Sequence, residues 1–246
     1  MLIVKISILI LKCPYIYIFY KKNILITNYM SEDKDNENEF EYKLDNFMFP
    51  LISKINKPNI LEFGVQRGTS TLKFLEICNI NDGHLFSADI DDCSTVSKDP
   101  RWVFIKSRDD NFDLIKSKIP KKLDVIFLDS IHEAAHVEKI IYNYFDLLEK
   151  GGYFFIDDIS HLPYIKNKDR NSFYCEINNR ETFNKILEIY DSNTDLFDLN
   201  FSFKSTGMAI IMKKSNLSIK KCDAIITRNN SLKNIVRSLW KKIKKD

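Results

Sequence analysis

Three aspartates stand where two apolar runs end, and their positions suit the binding of a cation. Asp129 ends the run DVIFLD, and Asp157 and Asp158 end the run GGYFFIDD. A stretch with helical spacing separates the runs, which is typical of neighbouring parallel strands. Ligands of open α/β sheets bind beyond the carboxyl ends of such strands, and three carboxylates gathered there repel one another unless a positive charge lies between them. The sequence therefore predicts a divalent metal site formed by these three residues.

The elements that would position these aspartates alternate between strand and helix from about residue 47 to residue 214. Seven apolar runs are predicted as strands: NILEFG, HLFSADID, WVFIKS, LDVIFLD, GYFFIDD, FDLNFSF and GMAIIMKK. Because the short connection KSTG joins the last two runs, the last strand is expected to run antiparallel. The pattern predicts an α/β fold with a mostly parallel seven-stranded sheet and an antiparallel last strand.

The junction between the first predicted strand and its helix carries two glycines. In Glu62-Phe-Gly64-Val-Gln-Arg-Gly68 the glycines allow the backbone to approach a ligand closely. The helix that begins at Thr69 and Ser70 offers its first amide groups to an anionic group. The spacing differs from the GxGxxG fingerprint of dinucleotide-binding enzymes, which counts against a nicotinamide cofactor.

Two further segments lie where a nucleoside is expected to bind. Asp89, at the end of the second predicted strand, is placed to accept hydrogen bonds from ribose hydroxyls, although a solvated strand-end carboxylate is the simpler alternative. Arg108 and Asp109 follow the third strand, where contacts to adenine are expected, but the sequence does not indicate which residue makes them.

The chain resembles the class I S-adenosylmethionine-dependent methyltransferases over roughly residues 47–214. The resemblance rests on the ExGxxxG pattern of Glu62, Gly64 and Gly68, on the position of Asp89 and on the terminal antiparallel hairpin. It implies a Rossmann-like three-layer sandwich that binds S-adenosyl-L-methionine. The residues expected to bind this cofactor are Glu62, Gly64, Gly68, Thr69, Ser70, Asp89, Arg108 and Asp109.

The segment LDSIHEAAHVEKIIYNYFDLLEKGGYFFIDDISH resembles, more narrowly, the metal-dependent sugar O-methyltransferases, including those of macrolide sugars and their rhamnosyl- and cephalosporin-tailoring relatives. The resemblance implies that Asp129, Asp157 and Asp158 bind Mg²⁺ and that His132, together with Asp129, is catalytic, with His132 as general base. The chain departs from the macrolide-sugar pattern at Ser130-Ile131, and it has Asp157 where those enzymes often have a glutamate. These departures leave the acceptor open.

These residue types suit the transfer of a methyl group to a hydroxyl. The sulfonium donor needs little activation, so the difficult step is removal of the hydroxyl proton. Mg²⁺ held by oxygen ligands lowers the pKa of a hydroxyl, and an imidazole with an ordinary pKa of about 6.5 accepts a proton near neutral pH. His161 is an alternative base, and Asp129 could instead cap the helix that follows it.

Composition limits the class of protein. The chain of 246 residues is long enough for one α/β domain with short appendages. Its five cysteines are scattered, without a CxxC pair, which argues against a disulfide framework and against a zinc site. This usage favours a reducing, cytoplasmic compartment.

Both ends of the chain differ from the central domain at 47–214. Residues 1–30 are expected to be an apolar leader or an upstream extension before a start at Met30, since charged residues and Pro14 interrupt every run that could span a membrane. Residues 31–46 are expected to form an acidic linker. Residues 215–246 are expected to contain a basic amphipathic helix capped by Ser231, which suits docking on the domain, on another subunit, or on an anionic surface at the inner membrane face.

Together these features predict a cytoplasmic O-methyltransferase that acts on a hydroxyl of a small molecule or glycan, with S-adenosyl-L-methionine and Mg²⁺ as cofactors. A metal-independent methyltransferase of the same fold and a non-catalytic nucleotide-binding scaffold are the alternatives. No stacking aromatic residues interleave the basic ones, so a nucleic-acid partner is not expected. Formation of a homo-oligomer is left open.

Overall fold

The computed structural model describes residues 37–160, 173–222 and 232–243 of the chain. The contacts within the chain divide it after Asn38, and the fold described below belongs to the part from Glu39 onward. The leader predicted over residues 1–30, the alternative base His161 and the predicted helix cap Ser231 lie outside the described residues.

A seven-stranded sheet forms the centre of the fold. Its strands are β1 (Asn59–Phe63), β2 (His84–Asp89), β3 (Trp102–Lys106), β4 (Leu123–Leu128), β5 (Leu148–Asp157), β6 (Phe197–Ser202) and β7 (Met208–Lys213). The strand order is β3-β2-β1-β4-β5-β7-β6. The first five strands are parallel, whereas β7 runs antiparallel to both β5 and β6. The predicted sheet is confirmed.

Helices cover both faces of this sheet. In chain order they are α1 (Glu37–Lys43), a π-helix (Leu44–Met48), α2 (Phe49–Ile52), α3 (Thr69–Asn81), α4 (Phe112–Lys116), α5 (Ala134–Tyr144), a 3-10 helix (Phe145–Leu147), α6 (Phe173–Asp191) and α7 (Leu232–Ile243). The π-helix, α2 and α3 pack against one face, and α4, α5 and α6 pack against the other. The fold is therefore the expected Rossmann-like three-layer sandwich.

The central strands β1 and β4 are buried on both sides, since consecutive side chains point to opposite faces and both faces are covered by helices. In β4, Val125 and Phe127 belong to the core under α3, whereas Ile126 and Leu128 belong to the core under α5. This double burial explains why the central strands are nearly continuous apolar runs in the sequence. The first polar side chain after such a run lies where the strand leaves the core, and in β4 this residue is Asp129.

Two boundaries differ from those expected. The segment expected to be an acidic linker over residues 31–46 is helical from Glu37 onward, because Leu44 and Met48 are fully buried against the sheet. Strand β5, predicted from the run GYFFIDD, begins earlier, at Leu148, which pairs with Leu123 and lies in the core. The helix before it ends at Tyr144.

Helix α7 lies in the C-terminal segment, where the spacing of apolar residues predicted a helix. Its residues Leu232, Ile235 and Val236 are exposed. In the described part of the chain, no helix has both the length and the apolar character needed to cross a membrane.

Candidate active site

The carboxyl ends of β1, β2, β4 and β5 meet at one edge of the sheet. Phe63 of β1 is level with Ala88 of β2 and with Leu128 of β4, and Leu128 is level with Ile156 of β5. The loops that follow these strands therefore begin at nearly the same height, and they carry most of the predicted site residues.

The glycine-containing loop after β1 packs directly on the loop after β4. Gly64 has a φ of +93°, and a Cβ atom at this position would lie 2.0 Å from the backbone carbonyl oxygen of Asp129. Gly68 has a φ of +83°, and a Cβ atom there would lie 2.2 Å from a methyl carbon of Val96. Both positions combine a left-handed backbone with a close approach, so each requires glycine.

Asp89, at the end of β2, fixes the conformation of this loop. One of its carboxylate oxygens accepts hydrogen bonds from the backbone amides of Val65 (2.7 Å) and Gln66 (3.1 Å), and the other accepts one from the amide of Asp91 (2.9 Å). Desolvation acts to raise the pKa of Asp89, but these hydrogen bonds outweigh it and hold the pKa below its ordinary value. Asp89 is thus an ionised acceptor at the place predicted for a ribose.

Glu62 lies beneath the loop, inside the core. Its carboxylate accepts hydrogen bonds from the hydroxyls of Ser70 (2.5 Å), Thr71 (2.8 Å) and Ser87 (2.6 Å), and the residue is fully buried. Burial raises the pKa of Glu62 to about 7, although the three hydroxyls oppose the rise. The structure corrects the expectation that Glu62 and Ser70 contact a cofactor directly, because their polar groups bond to one another and tie α3 to β1 and β2.

Helix α3 begins beside the loop, with Gly68 as its N-cap residue. Because a glycine stands at the N-cap, no side chain of its own covers the amide groups of the first turn. Thr69 is exposed at this turn, whereas Ser70 is buried. The helix start therefore keeps the geometry that suits an anionic group.

Arg108 and Asp109 follow β3, as expected, but they have different environments. The Arg108 guanidinium is exposed and pairs with the carboxylate of Asp110. Asp109 is buried and accepts hydrogen bonds from the hydroxyl of Ser130 and, at 2.7 Å, from the Nε2 atom of His136. The Oδ2 atom of Asp109 is therefore engaged within the protein, and contact of this residue with the cofactor stays a prediction.

The loop after β4 brings His132 between two carboxylates. Its Nε2 atom lies 3.7 Å from Oδ1 of Asp129 and 3.5 Å from Oδ2 of Asp158. All three side chains are partly exposed, at 25% for Asp129, 30% for His132 and 27% for Asp158. This group is thus open to a ligand, and it joins residues from the ends of two neighbouring strands.

Helix α6 holds the loops that carry this group. The hydroxyl of Thr182 donates to the backbone carbonyl of His132 (3.3 Å), and the buried amide of Asn179 donates to the carbonyl of Ser160 (2.9 Å). Asp158 has a φ of +57°, a left-handed conformation that is unfavourable for a residue with a Cβ atom. Its backbone amide donates to the carbonyl of Gly207, which holds it in this conformation.

Asp157 has a different partner from its neighbour. Its carboxylate is almost completely buried and forms an ion pair with Nζ of Lys43, at the end of α1. The same ammonium donates to the hydroxyl of Thr206 (2.7 Å), in the turn between β6 and β7. The three aspartates lie at one edge, but Asp157 faces Lys43, whereas Asp129 and Asp158 face His132.

The electrostatics of the site follow from this crowding. Desolvation raises the pKa of Asp129 well above its ordinary value, and the nearby Asp157 and Asp158 add to the rise. Burial also raises the pKa of Asp157, although the Lys43 ammonium opposes the rise.

As placed, these residues do not fit a metal ion. Lys43 holds one oxygen of Asp157, and among the described residues no three acidic, histidine or cysteine side chains are arranged to hold a metal. This corrects the expectation of a preformed Mg²⁺ site built from Asp129, Asp157 and Asp158.

Sequence reasoning missed Lys43 and Thr206. Lys43 lies in the segment taken for a linker, where its acidic neighbours concealed the apolar spacing of Phe40, Leu44 and Met48. That spacing could have indicated a helix packed on the sheet. Nothing in the sequence indicated that Thr206 would contact Lys43, since the two residues are distant in the chain.

Comparison with protein families gives a match at this site. The model of a methyltransferase domain family matches residues 61–159, which run from β1 to just beyond Asp158. No curated protein is similar enough in sequence to match the chain.

Solved structures with the same fold include two methyltransferases. MycE, from the mycinamycin biosynthetic pathway and solved in complex with Mg and SAH, is 17% identical, with a TM-score of 0.55 over 70% of this chain and 50% of MycE. The SAH-bound methyltransferase PaMTH1 of Podospora anserina is 14% identical, with a TM-score of 0.55 over 79% of this chain and 96% of its own. The chain thus spans about half the length of MycE. The likeness to these structures shows the fold, and the family match over residues 61–159 agrees with the resemblance to the class I S-adenosylmethionine-dependent methyltransferases.

Proposed function

We propose that this chain transfers a methyl group from S-adenosyl-L-methionine to a hydroxyl group of a small molecule or sugar, with His132 as the general base. The observation that carries the proposal is the contact between Gly64 and Asp129 at the carboxyl edge of the sheet. It joins the loop suited to a nucleoside donor to the loop that carries His132, so that donor and acceptor would meet at one place.

Donor binding is supported by the loop after β1 and by Asp89. The loop presents backbone without side chains at Gly64 and Gly68, and the first turn of α3 offers amide groups to a carboxylate. Asp89 is ionised and partly exposed. Its Oδ2 atom accepts from the amides of Val65 and Gln66, whereas its Oδ1 atom accepts from the amide of Asp91 and has a second lone pair, so the carboxylate can accept from a ribose hydroxyl.

Acceptor chemistry is supported by the position of His132. A hydroxyl that attacks a methyl group must lose its proton, and an imidazole suits this task near neutral pH. Asp129 and Asp158 lie on the side of Nε2, where they balance the positive charge that the ring acquires with the proton. The sulfonium of the donor supplies the electrophile, so the protein needs only to position the donor and remove the proton.

The proposal includes no metal ion, because Asp157 is paired with Lys43. This corresponds to the metal-independent alternative of the sequence analysis. The identity of the acceptor, a cytoplasmic location, the oligomeric state and contact of α7 with a membrane surface stay predictions.

The test has two parts. S-adenosylhomocysteine should raise the thermal unfolding temperature of the full chain, whereas NAD should leave it unchanged. Isotope-labelled S-adenosyl-L-methionine should then transfer its methyl group to at least one member of a panel of diol-bearing sugars and catechols. Stabilisation by NAD instead of S-adenosylhomocysteine would refute the proposal, and donor binding without transfer to any acceptor would favour a binding module.

A further inference from the structure

Lys43 is a buried lysine whose ammonium group is paired with other residues inside the protein. It is 1% exposed, and its ammonium contacts the carboxylate of Asp157, the hydroxyl of Thr206 and, at 5.4 Å from the ring centroid, the face of Phe40. Lysine is almost never fully buried without a partner, because a desolvated ammonium is costly unless an opposite charge compensates it. The pair with Asp157 provides that compensation.

The ammonium lies beside the carboxylates from which a metal site was predicted. Asp157 is next to Asp158 in the chain, and Asp129 lies close enough for both to affect its pKa. A divalent cation bound to Asp157 would face the positive charge of Lys43 at short range, in a region of low dielectric where repulsion is strong. Mg²⁺ also requires oxygen ligands in nearly ideal geometry. The Oδ1 atom of Asp157 already accepts a hydrogen bond from the ammonium of Lys43 and is therefore not available as a ligand.

The same lysine also links three segments of the fold. It connects α1 to the end of β5 through Asp157 and to the turn before β7 through Thr206. That turn is bonded to the loop after β5, since the amide of Ser160 donates to the carbonyl of Thr206 and the amide of Asp158 donates to the carbonyl of Gly207. Displacement of Lys43 by a metal ion would therefore disturb the loop that holds Asp158 beside His132.

We propose that Lys43 is the resident cation of this site, a positioning residue that neutralises Asp157 and excludes divalent metal ions from it. The proposal goes beyond the proposed function, because it concerns the cation that balances Asp157 and holds for any acceptor. Lys43 does not touch His132 in this arrangement, so its role is to keep the carboxylates in place.

The experiment measures metal binding to the full chain after treatment with a chelator. Mn²⁺ is titrated into the wild-type protein and into Lys43→Met, and free Mn²⁺ is followed by electron paramagnetic resonance. The wild type should bind Mn²⁺ with a dissociation constant weaker than about 1 mM, as expected for a poor oxygen site, whereas Lys43→Met should bind at least about tenfold tighter, because an unpaired carboxylate then joins Asp158 and Asp129. Addition of Asp157→Asn to Lys43→Met should remove the gain.

A matched control is Lys73→Met, which removes a lysine that pairs with Asp45 at the surface of the same side of the fold. This variant should bind Mn²⁺ as weakly as the wild type. Tight binding by the wild type that Asp157→Asn abolishes would overturn the proposal, as would equal affinities of the wild type and Lys43→Met.

If Lys43→Met does not fold, the wild type and Asp157→Asn decide the question by thermal unfolding. No change of the unfolding temperature on addition of Mn²⁺ in either protein supports the proposal, and a rise in the wild type that Asp157→Asn abolishes overturns it. Because the measured quantity is metal binding, a failure of methyl transfer to any acceptor leaves this test unaffected.

Discussion

A Cβ atom on Gly64 would lie 2.0 Å from the backbone carbonyl oxygen of Asp129. The loop after β1 and the loop after β4 are therefore in contact through their backbones, without a side chain between them. The amide of Asp129 in turn donates to the carbonyl of Phe63, one residue before Gly64. The two functional loops are positioned by the same pair of adjacent strands, so a change in one must affect the other.

Substitution of Gly64 by alanine should disrupt both loops. The alanine must adopt a φ of +93°, and its methyl group collides with the carbonyl oxygen of Asp129. This carbonyl cannot move without breaking the end of β4. We expect a loss of about 3 kcal/mol or more in the free energy of unfolding and a loss of S-adenosylhomocysteine binding, measured by urea denaturation and by isothermal calorimetry.

Gly151→Ala is the matched control for this substitution. Gly151 has a similar φ of +89°, but a Cβ atom there meets no other atom within 4 Å. Only the strain of a left-handed alanine should act in this variant, and it should lower the free energy of unfolding by about 1–2 kcal/mol. The variant should bind S-adenosylhomocysteine like the wild type. Equal effects of the two substitutions would show that the contact with Asp129 has no role.

Glu62 should make the stability of the fold depend on pH. Its pKa rises from an ordinary value of 4.5 to about 7 in the folded protein, so between these values the folded chain holds a proton that the unfolded chain has lost. The free energy of unfolding therefore falls as the pH rises through this window. Glu62→Gln removes this component, and the difference in stability between about pH 5 and pH 8 should shrink by on the order of 2–3 kcal/mol.

Urea denaturation at both pH values measures this effect. The raised pKa values of Asp129 and Asp157 act in the same direction and persist in the variant, so some decline with pH should remain. Glu76→Gln, on the exposed side of α3, should retain the full dependence of the wild type. An unchanged pH dependence in Glu62→Gln would contradict the raised pKa of Glu62.

The sequence predicted the sheet and the height of the site, because these depend on local patterns. Apolar runs that end in Asp89, Asp129 and Asp157 mark the points where strands leave the core, and parallel strands bring those points to one edge. Side-chain partners depend on contacts between distant segments, which periodicity does not show. For this reason Asp157 was assigned to a metal instead of Lys43, and Glu62 was assigned to a cofactor instead of Ser70, Thr71 and Ser87.

Asp89→Asn should weaken donor binding more than it weakens the fold. In the wild type, the two carboxylate oxygens accept from the amides of Val65 and Asp91, respectively. An asparagine keeps the shape of the side chain but has a single acceptor oxygen. This oxygen cannot serve both amides and also bind a ribose hydroxyl. We expect the affinity for S-adenosylhomocysteine to fall by about tenfold or more, which corresponds to about 1.4 kcal/mol.

Asp92→Asn is the control for the change of charge in this segment. The Asp92 carboxylate is exposed and accepts from the amide of Ser94, whereas Asp89 accepts from the amides of the loop after β1. Calorimetric titration should give the wild-type affinity for this variant. If Asp92→Asn weakened binding as much as Asp89→Asn, the effect would be one of net charge, and Asp89 would have no specific role.

His132→Gln should separate proton removal from donor binding. The variant keeps a polar side chain between Asp129 and Asp158 but has no group that accepts a proton near neutral pH, so methyl transfer should fall by about 10²- to 10⁴-fold. Binding of S-adenosylhomocysteine should stay near the wild-type value, because the groups proposed to hold the donor lie in the loop after β1 and at Asp89. Initial rates with an acceptor from the sugar and catechol panel, together with calorimetry, measure the two quantities. His84→Gln changes an exposed histidine at the start of β2, at the opposite end of that strand from Asp89, and should alter neither quantity.

The pH profile of methyl transfer gives a second test of the role of His132. Since the imidazole is proposed to act as a base, the rate of the wild type should fall at acidic pH, whereas the residual rate of His132→Gln should lack this dependence. Identical pH profiles of the two proteins would assign proton removal to another group.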